Sequence, residues 1–226
     1  MAMTDRDAPV PPRGQRLPRA ERRAQLLESA QDVFVVKGYH AAAMEDIADR
    51  AGVSKPVLYQ HFPGKLELYL ALLDQQCDLL EQLVREALEG SGDPKERVYA
   101  TTAAYFEFVA RDGAAFRLVF ESDLTNEPAV RHRLDAAEAA CAEMIAEHIS
   151  TETVLPIEIA HVLGVALAGM AQVTARSWLA QGTAIPREDA ARAAGHLAWR
   201  GIGAFPIGAT AAGMTATGGG TVGTAN

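Results

Sequence analysis

The 226-residue sequence predicts an all-α fold, and three observations carry the prediction. Apolar residues recur at three- and four-residue spacings from Leu26 to Trp199, and no stretch alternates strictly. Hydrophobic residues make up 49% of the chain but aromatics only 6%, with Ala, Leu and Glu abundant, a balance that suits helices better than sheets. Gly, Pro and Ser breaks fall between the periodic segments, at Gly38, Gly52, Gly90-Ser91-Gly92, Gly182 and Pro186.

Taken in order, residues 1–16 are rich in Pro and Arg without periodicity, and are expected to be a disordered basic arm. Pro18 suits the first position of a helix carrying Leu26, Leu27, Ala30, Val33 and Phe34, closed by Gly38. Met44, Ile47, Ala48 and Ala51 mark a helix of about two turns, ended by Gly52. Ser54 is a natural N-cap for a second short helix, with Pro56 in its first turn and Val57, Leu58 and Phe62 on its inner side. Neither short helix is long enough to stand without tertiary support.

A longer helix is expected from Pro63 to Leu88, with the stripe Leu66, Leu70, Leu73, Cys77, Leu80, Val84 and Leu88. Asp93-Pro94 opens the next, through Tyr105, Phe106 and Val109 to Asp112; a short segment with Phe116, Leu118, Val119 and Phe120 follows. Thr125 or Asn126 is placed to cap a helix with Pro128 in its first turn and Val130, Leu134, Ala137, Cys141, Ile145 and His148 along its stripe. Helices from Pro156 to Gln181 and from Pro186 to Ile202 complete a set of about nine, and the Gly-, Ala- and Thr-rich tail 208–226 is expected to be disordered. The domain reading is an arm (1–16), a DNA-binding domain (17–63), a ligand-binding and dimerisation domain (64–207) and the tail.

The charge is unevenly divided. Net charge is −8, yet residues 1–65 carry ten Lys/Arg against eight Asp/Glu, and residues 66–226 carry eleven against twenty-one. A basic arm on an acidic body suits local contact with phosphates. Apolar runs unbroken for the ~18 residues that span a bilayer are not seen, and the N-terminus lacks a signal-peptide core, so a cytoplasmic protein without membrane attachment is expected. Cys77 and Cys141 sit singly in apolar helical patterns and read as reduced core thiols.

The stretch from Ala43 to Lys65 carries the functional signal. Ala48 is small enough for two helices to cross closely, Gly52 stands where the turn needs a positive φ, and Leu58 plugs the gap between them beside Ile47 and Val53. Small, Gly and apolar at these offsets form the helix-turn-helix pattern, whose second helix enters the major groove.

With Gly38-Tyr39, Met44, Ile47-Ala48, Ala51 to Lys55, Leu58-Tyr59, His61-Phe62 and Lys65, the stretch resembles the N-terminal signature of the TetR/AcrR regulators. The resemblance implies an all-α effector-binding and dimerisation domain behind the reading head. It also implies DNA contacts from Ser54, Lys55, Tyr59, His61 and Lys65. Ala42 and Ala43 stand where the family carries a capping Thr or Ser, which leaves Tyr39 or His40 to supply a phosphate contact. Arg19, Arg22 and Arg23 are further candidates for phosphates or the minor groove.

In the expected C-terminal domain, Gly164, Ala168, Ala171 and Ala175 form one small-residue stripe, and Ala190, Ala194 and Ala198 another. Such stripes let helices approach closely, either within one protomer or across a dimer; the resemblance implies the dimer interface and hence a homodimer on a pseudo-palindromic operator. Helices that enclose the family's cavity carry Leu80, Val84, Leu88, Tyr105, Phe106, Val109, Phe116, Phe120, Cys141 and Ile145. Few charges interrupt that set, which points to a hydrophobic effector, an acyl chain.

Leu17-Pro18-Arg19, Arg117 to Asp123, Ala175 to Leu179 and Ala198 to Gly201 are also similar to an actinobacterial branch of the family that controls fatty-acid synthase genes. That likeness implies an activator released from DNA by long-chain acyl-CoA, with no other cofactor. The alternative within the class is a repressor of an efflux gene, induced by a hydrophobic small molecule. Against an enzyme, the sequence has no HExxH, GxSxG or P-loop, and His132, His148, His161 and His196 lie on different segments without metal-ligand spacing. A scaffold with a vestigial helix-turn-helix would bind DNA without regard to sequence.

Overall fold

The computed structural model describes residues 17–111, 124, 126–182 and 184–202, and among them every regular element is a helix. The eight are α1 (Arg19–Ala41), α2 (Met44–Arg50), α3 (Lys55–His61), α4 (Lys65–Glu89), α5 (Pro94–Arg111), α6 (Pro128–Glu152), α7 (Ile157–Ala180) and α8 (Arg187–Ile202). The arm 1–16, the segment 113–120 expected to add a ninth helix and the tail 208–226 lie outside the described residues.

Local chemistry sets most helix ends. Regular winding of α1 is interrupted at Gly38, whose φ of 73° is left-handed, and Gly52 takes φ 64° in the turn between α2 and α3. Both conformations cost a side-chain-bearing residue free energy that glycine avoids. Asp93 caps α5, its Oδ1 accepting from the Lys95 N–H at 2.7 Å and the Glu96 N–H at 3.4 Å. Thr125 lies outside the described residues, and Asn126 is not the cap of α6: Glu127 holds that position through its backbone alone, because its carbonyl accepts from Val130 and Arg131.

The start of α2 shows how the chain manages without the expected hydroxyl. Ala43 stands at the N-cap, and Asp46 reaches back to accept the Ala43 N–H at 3.1 Å, itself braced by Lys37 at 2.8 Å. This is one half of a capping box. Installing the other half with Ala43→Thr should raise stability by about 1 kcal/mol, read from urea unfolding.

Two buried clusters divide the molecule along α4. One joins α1, α2 and α3 through Leu26, Ala30, Phe34, Ile47, Ala48, Leu58 and Phe62 to Leu68–Cys77 of α4, with Val130 and Ala137 of α6 closing it. The other gathers Leu80, Val84 and Leu88 with α5, α6, α7 and α8. A single helix of 25 residues therefore belongs to both cores.

By length and composition α7 is apolar enough to cross a bilayer, although polar residues interrupt every apolar run in it. In the fold one face of it is instead laid on α6 and α5.

Candidate nucleic-acid interface and effector cavity

The helix-turn-helix is held from inside by Ala48, Leu58 and Ile47, each 1% exposed or less, and by a Val53 N–H to Ala48 carbonyl bond of 3.0 Å. With that face consumed, α3 turns Lys55, Pro56, Tyr59 and Gln60 outward. Tyr59 is 46% exposed, so the expected contact is available, and Ser54 makes no capping bond with its hydroxyl, leaving that group for a phosphate. Gln60, not singled out from the sequence, is a further candidate: it is exposed on α3, and a glutamine can pair with both major-groove atoms of an adenine.

The other expected contacts carry internal duties. Lys55 pairs with Glu45 of α2, which holds the lysine pKa above its ordinary value and the glutamate's below. Arg22 donates to Gln25 at 2.7 Å, and Gln25 donates to the Ala51 carbonyl at 3.0 Å, tying α1 to the turn. The Arg23 guanidinium lies 4.3 Å from the centre of the Phe62 ring and donates to the His61 carbonyl. Arg19 is exposed. Burial, then the nearby Arg19, Arg23 and Arg22, depress the His61 pKa and so favour the neutral ring.

Lys65 departs most from its expected role. Its ammonium donates to the carbonyls of Tyr39 (2.7 Å), His40 (3.2 Å) and Ala42 (2.9 Å), and it sits 4.5 Å from the centre of the Tyr39 ring. All three donors are spent on the carbonyls that end α1, so none is left for a phosphate. Tyr39 is likewise packed, stacked on Phe34 at 5.8 Å and edge-on to Tyr69 at 5.2 Å. Burial raises its pKa, with Glu127 and Glu67 adding to the effect.

The dimer candidates also need correcting. Gly164, Ala168, Ala171 and Ala175 face inward, and a Cβ built on Gly164 would stand 2.3 Å from the Ala142 carbonyl oxygen of α6. Ala190, Ala194 and Ala198 are buried too, on the side of α8 where Gly195 meets the Tyr99 ring of α5. Small residues here bring helices of one protomer together. The opposite face of α7 is the exposed one: Val162 is 63% exposed, Val173 60%, and Leu197 of α8 65%.

Of the expected effector contacts, Leu88 and Ile145 line a cavity at the end of the bundle far from α3 in sequence; Phe116 and Phe120 lie outside the described residues. Phe106 lines a second, more open hollow with Trp178, Ile185 and Leu197, and Leu80, Val84, Tyr105, Val109 and Cys141 are packed core. The cavity offers ≈ 80 Å³ to the centre of a water-sized sphere, several times the ~10–15 Å³ that admits one water. Its walls are mostly apolar, with Arg97, Thr101, His148 and Glu152 among the polar residues that line it.

Both cysteines are free thiols within the protein. Burial pushes Cys77 up to about 12 and Cys141 up to about 11. Neither should react with a thiol reagent at pH 8 until the protein unfolds. Because the folded thiols keep their protons longer than unfolded ones, stability should be constant below the ordinary thiol pKa of ~9 and fall as pH rises beyond it, measured by urea unfolding at stepped pH.

The relatives complete the picture. Residues 26–72 match the model of the bacterial regulatory proteins of the tetR family. The HTH-type transcriptional activator FasR of Mycolicibacterium smegmatis is 44% identical over 195 residues, 86% of this chain and 89% of that one. This chain belongs to the TetR family of transcriptional regulators. Its members are DNA-binding regulators rather than enzymes, and act as dimers with small-molecule effectors. The crystal structure of a TetR-like transcriptional regulator from Rhodococcus sp. RHA1 is similar in fold to this TetR-family chain, with a TM-score of 0.68 and 26% identity, covering 84% of this chain and all of that one. The regulator FadR of Bacillus subtilis, solved in complex with stearoyl-CoA, has a TM-score of 0.64 at 18% identity, over 79% of this chain and 98% of that one, a likeness of fold alone. Among the described residues no group of three His, Cys, Asp or Glu side chains is placed to hold a metal ion.

Proposed function

We propose that the chain is a homodimeric activator of fatty-acid biosynthesis genes that binds a pseudo-palindromic operator in the cytoplasm and is released from it by long-chain acyl-CoA. The observation that carries this reading is the 44% identity to a transcriptional activator along 86% of the chain, which runs through both the reading head and the effector domain. A mostly apolar cavity that holds the Arg97–Glu152 ion pair in its wall supports an amphipathic effector. The efflux-repressor alternative expects acids and aromatics around the ligand, whereas this lining holds one carboxylate and one indole.

The contacts suggest how release works. α4 lines the cavity with Leu88 at one end and, at the other, holds the end of α1 through Lys65. A long acyl chain must part the helices around Leu88 to enter. The resulting shift of α4 is transmitted to α1 and alters the spacing of the two α3 helices in the dimer. The ligand acts to the extent that it binds the DNA-incompetent spacing more tightly.

The outward faces of Val162, Val173 and Leu197 are the surfaces offered to the second copy. In the DNA interface, Lys55, Tyr59 and Gln60 read or brace the major groove, Ser54 and Arg19 contact phosphates, and Arg22, Arg23, Tyr39 and Lys65 hold the head in shape. The test is a gel shift on an operator selected by the protein from random duplexes, titrated with acyl-CoAs of increasing length. Long chains are expected to weaken DNA binding at least tenfold more than acetyl-CoA does; equal affinity at every length removes the acyl-CoA reading.

A further inference from the structure

The polar part of the cavity wall is built from two facing pairs. On α5, Arg97 and Thr101 stand four residues apart and so share one face; on α6, His148 and Glu152 do the same. Arg97 and Glu152 form an ion pair across the gap, with side chains 16% and 27% exposed, and all four residues line the cavity.

Thr101 is the unexplained member. It is 8% exposed, and its hydroxyl has no hydrogen-bond partner among the described residues. Its neighbour Thr102 satisfies its own hydroxyl locally, donating to the Val98 carbonyl at 2.8 Å. Thr101 does not, although it sits on the same helix. A buried hydroxyl left unpaired costs about 1–3 kcal/mol, so a partner supplied from the cavity is the economical explanation. His148 donates through Nδ1 to the Met144 carbonyl at 2.9 Å, which fixes the orientation of its ring.

We infer that this part of the wall seats the polar head of the effector: Thr101 donates to the acyl carbonyl, and Arg97, released from Glu152, holds the anionic part. Glu152 is then a competitor for Arg97, a latch that the effector must open. The inference rests on the acyl-effector reading above and deepens it by assigning the head-group site and its selectivity for anions. A free carboxylate and an acyl thioester with its phosphates share this chemistry, and a neutral ester shares only the carbonyl.

The experiment measures binding to the full chain without DNA, by calorimetry, for lauroyl-CoA, laurate and methyl laurate. Trp199 lines the cavity, so its emission in a Trp178→Phe background reports occupancy. Thr101→Val should leave the fold intact, since the hydroxyl it removes is unpaired, and weaken all three ligands by about 3–10-fold, the value of one hydrogen bond. Arg97→Gln should weaken the two anions at least tenfold and spare methyl laurate. Glu152→Gln should tighten the anions several-fold, the opposite of what losing a structural ion pair would do. Laurate outbinding lauroyl-CoA assigns the anion to the carboxylate, and the reverse order to the phosphates; both outcomes support the site.

Unchanged or weakened anion binding in Glu152→Gln, or equal losses for methyl laurate and the anions in Arg97→Gln, would overturn the inference. Should Arg97→Gln fail to fold, the other two variants still decide. If acyl-CoA releases DNA yet none of the three variants changes affinity, this inference alone falls. If no acyl ligand binds the unaltered protein, the effector reading falls with it.

Discussion

Val162→Asp combined with Val173→Asp should turn the dimer into monomers and reduce operator affinity about 100-fold or more, as expected when two linked reading heads become independent. The two valines are eleven residues apart on α7, three helical turns, and stand on one exposed stripe at 63% and 60% exposure. In a twofold interface each substitution is present twice, so four carboxylates would be buried against an apolar surface without partners. Circular dichroism should be unchanged, because neither side chain contributes to the protomer core. Sedimentation gives the mass and fluorescence anisotropy the DNA affinity. A double variant that remains dimeric would place the interface elsewhere.

Gly164→Leu should damage the protomer itself. Even a Cβ there meets the Ala142 oxygen at 2.3 Å, the Ala146 nitrogen at 3.1 Å and the Ala146 Cβ at 3.2 Å. Two of these are backbone atoms, so no rotamer change relieves the clash and α6 and α7 must separate. The cost should exceed the ~1–3 kcal/mol typical of overpacking, lowering Tm by about 5 °C or more in a domain of this size. Gly169 provides the control. A Cβ on it meets nothing within 4 Å, so in the monomeric Val162→Asp/Val173→Asp background Gly169→Ala should stabilise by up to ~1 kcal/mol through helix propensity. If Gly164→Leu left the melting temperature alone and only blocked dimerisation, the small-residue stripe would be the dimer seam after all.

Lys65 offers a different lesson about the reading head. A lysine that opens a helix beside a DNA-binding motif invites a phosphate contact, yet its ammonium is spent on three carbonyls of α1. Nothing in its spacing could show this, because the carbonyls belong to a segment 23 to 26 residues earlier that α1 brings back only in the folded head. Gln60 errs the other way. It follows Tyr59 in a helix whose inner residue is Leu58, so helical phase alone could have placed it outward.

What the sequence determined by itself is local in origin. Helix starts at Pro94 and Pro128, breaks at Gly38, Gly52 and Gly182, and the Ala48–Gly52–Leu58 spacing all follow from φ/ψ limits and helical phase. Those interactions act over a few residues, and the helix-turn-helix is written almost entirely in them. Tertiary structure decided which partner each face meets. Periodicity groups Gly164, Ala168, Ala171 and Ala175 on one side of α7, but only the approach of α6 made that side the interior and left Val162 and Val173 outside. It likewise set Arg97 against Glu152, 55 residues away in sequence, and left Thr101, its hydroxyl unpaired among the described residues, in the wall of the same cavity. Burial and pairing are properties of surfaces in contact, and surfaces meet only when the chain has folded.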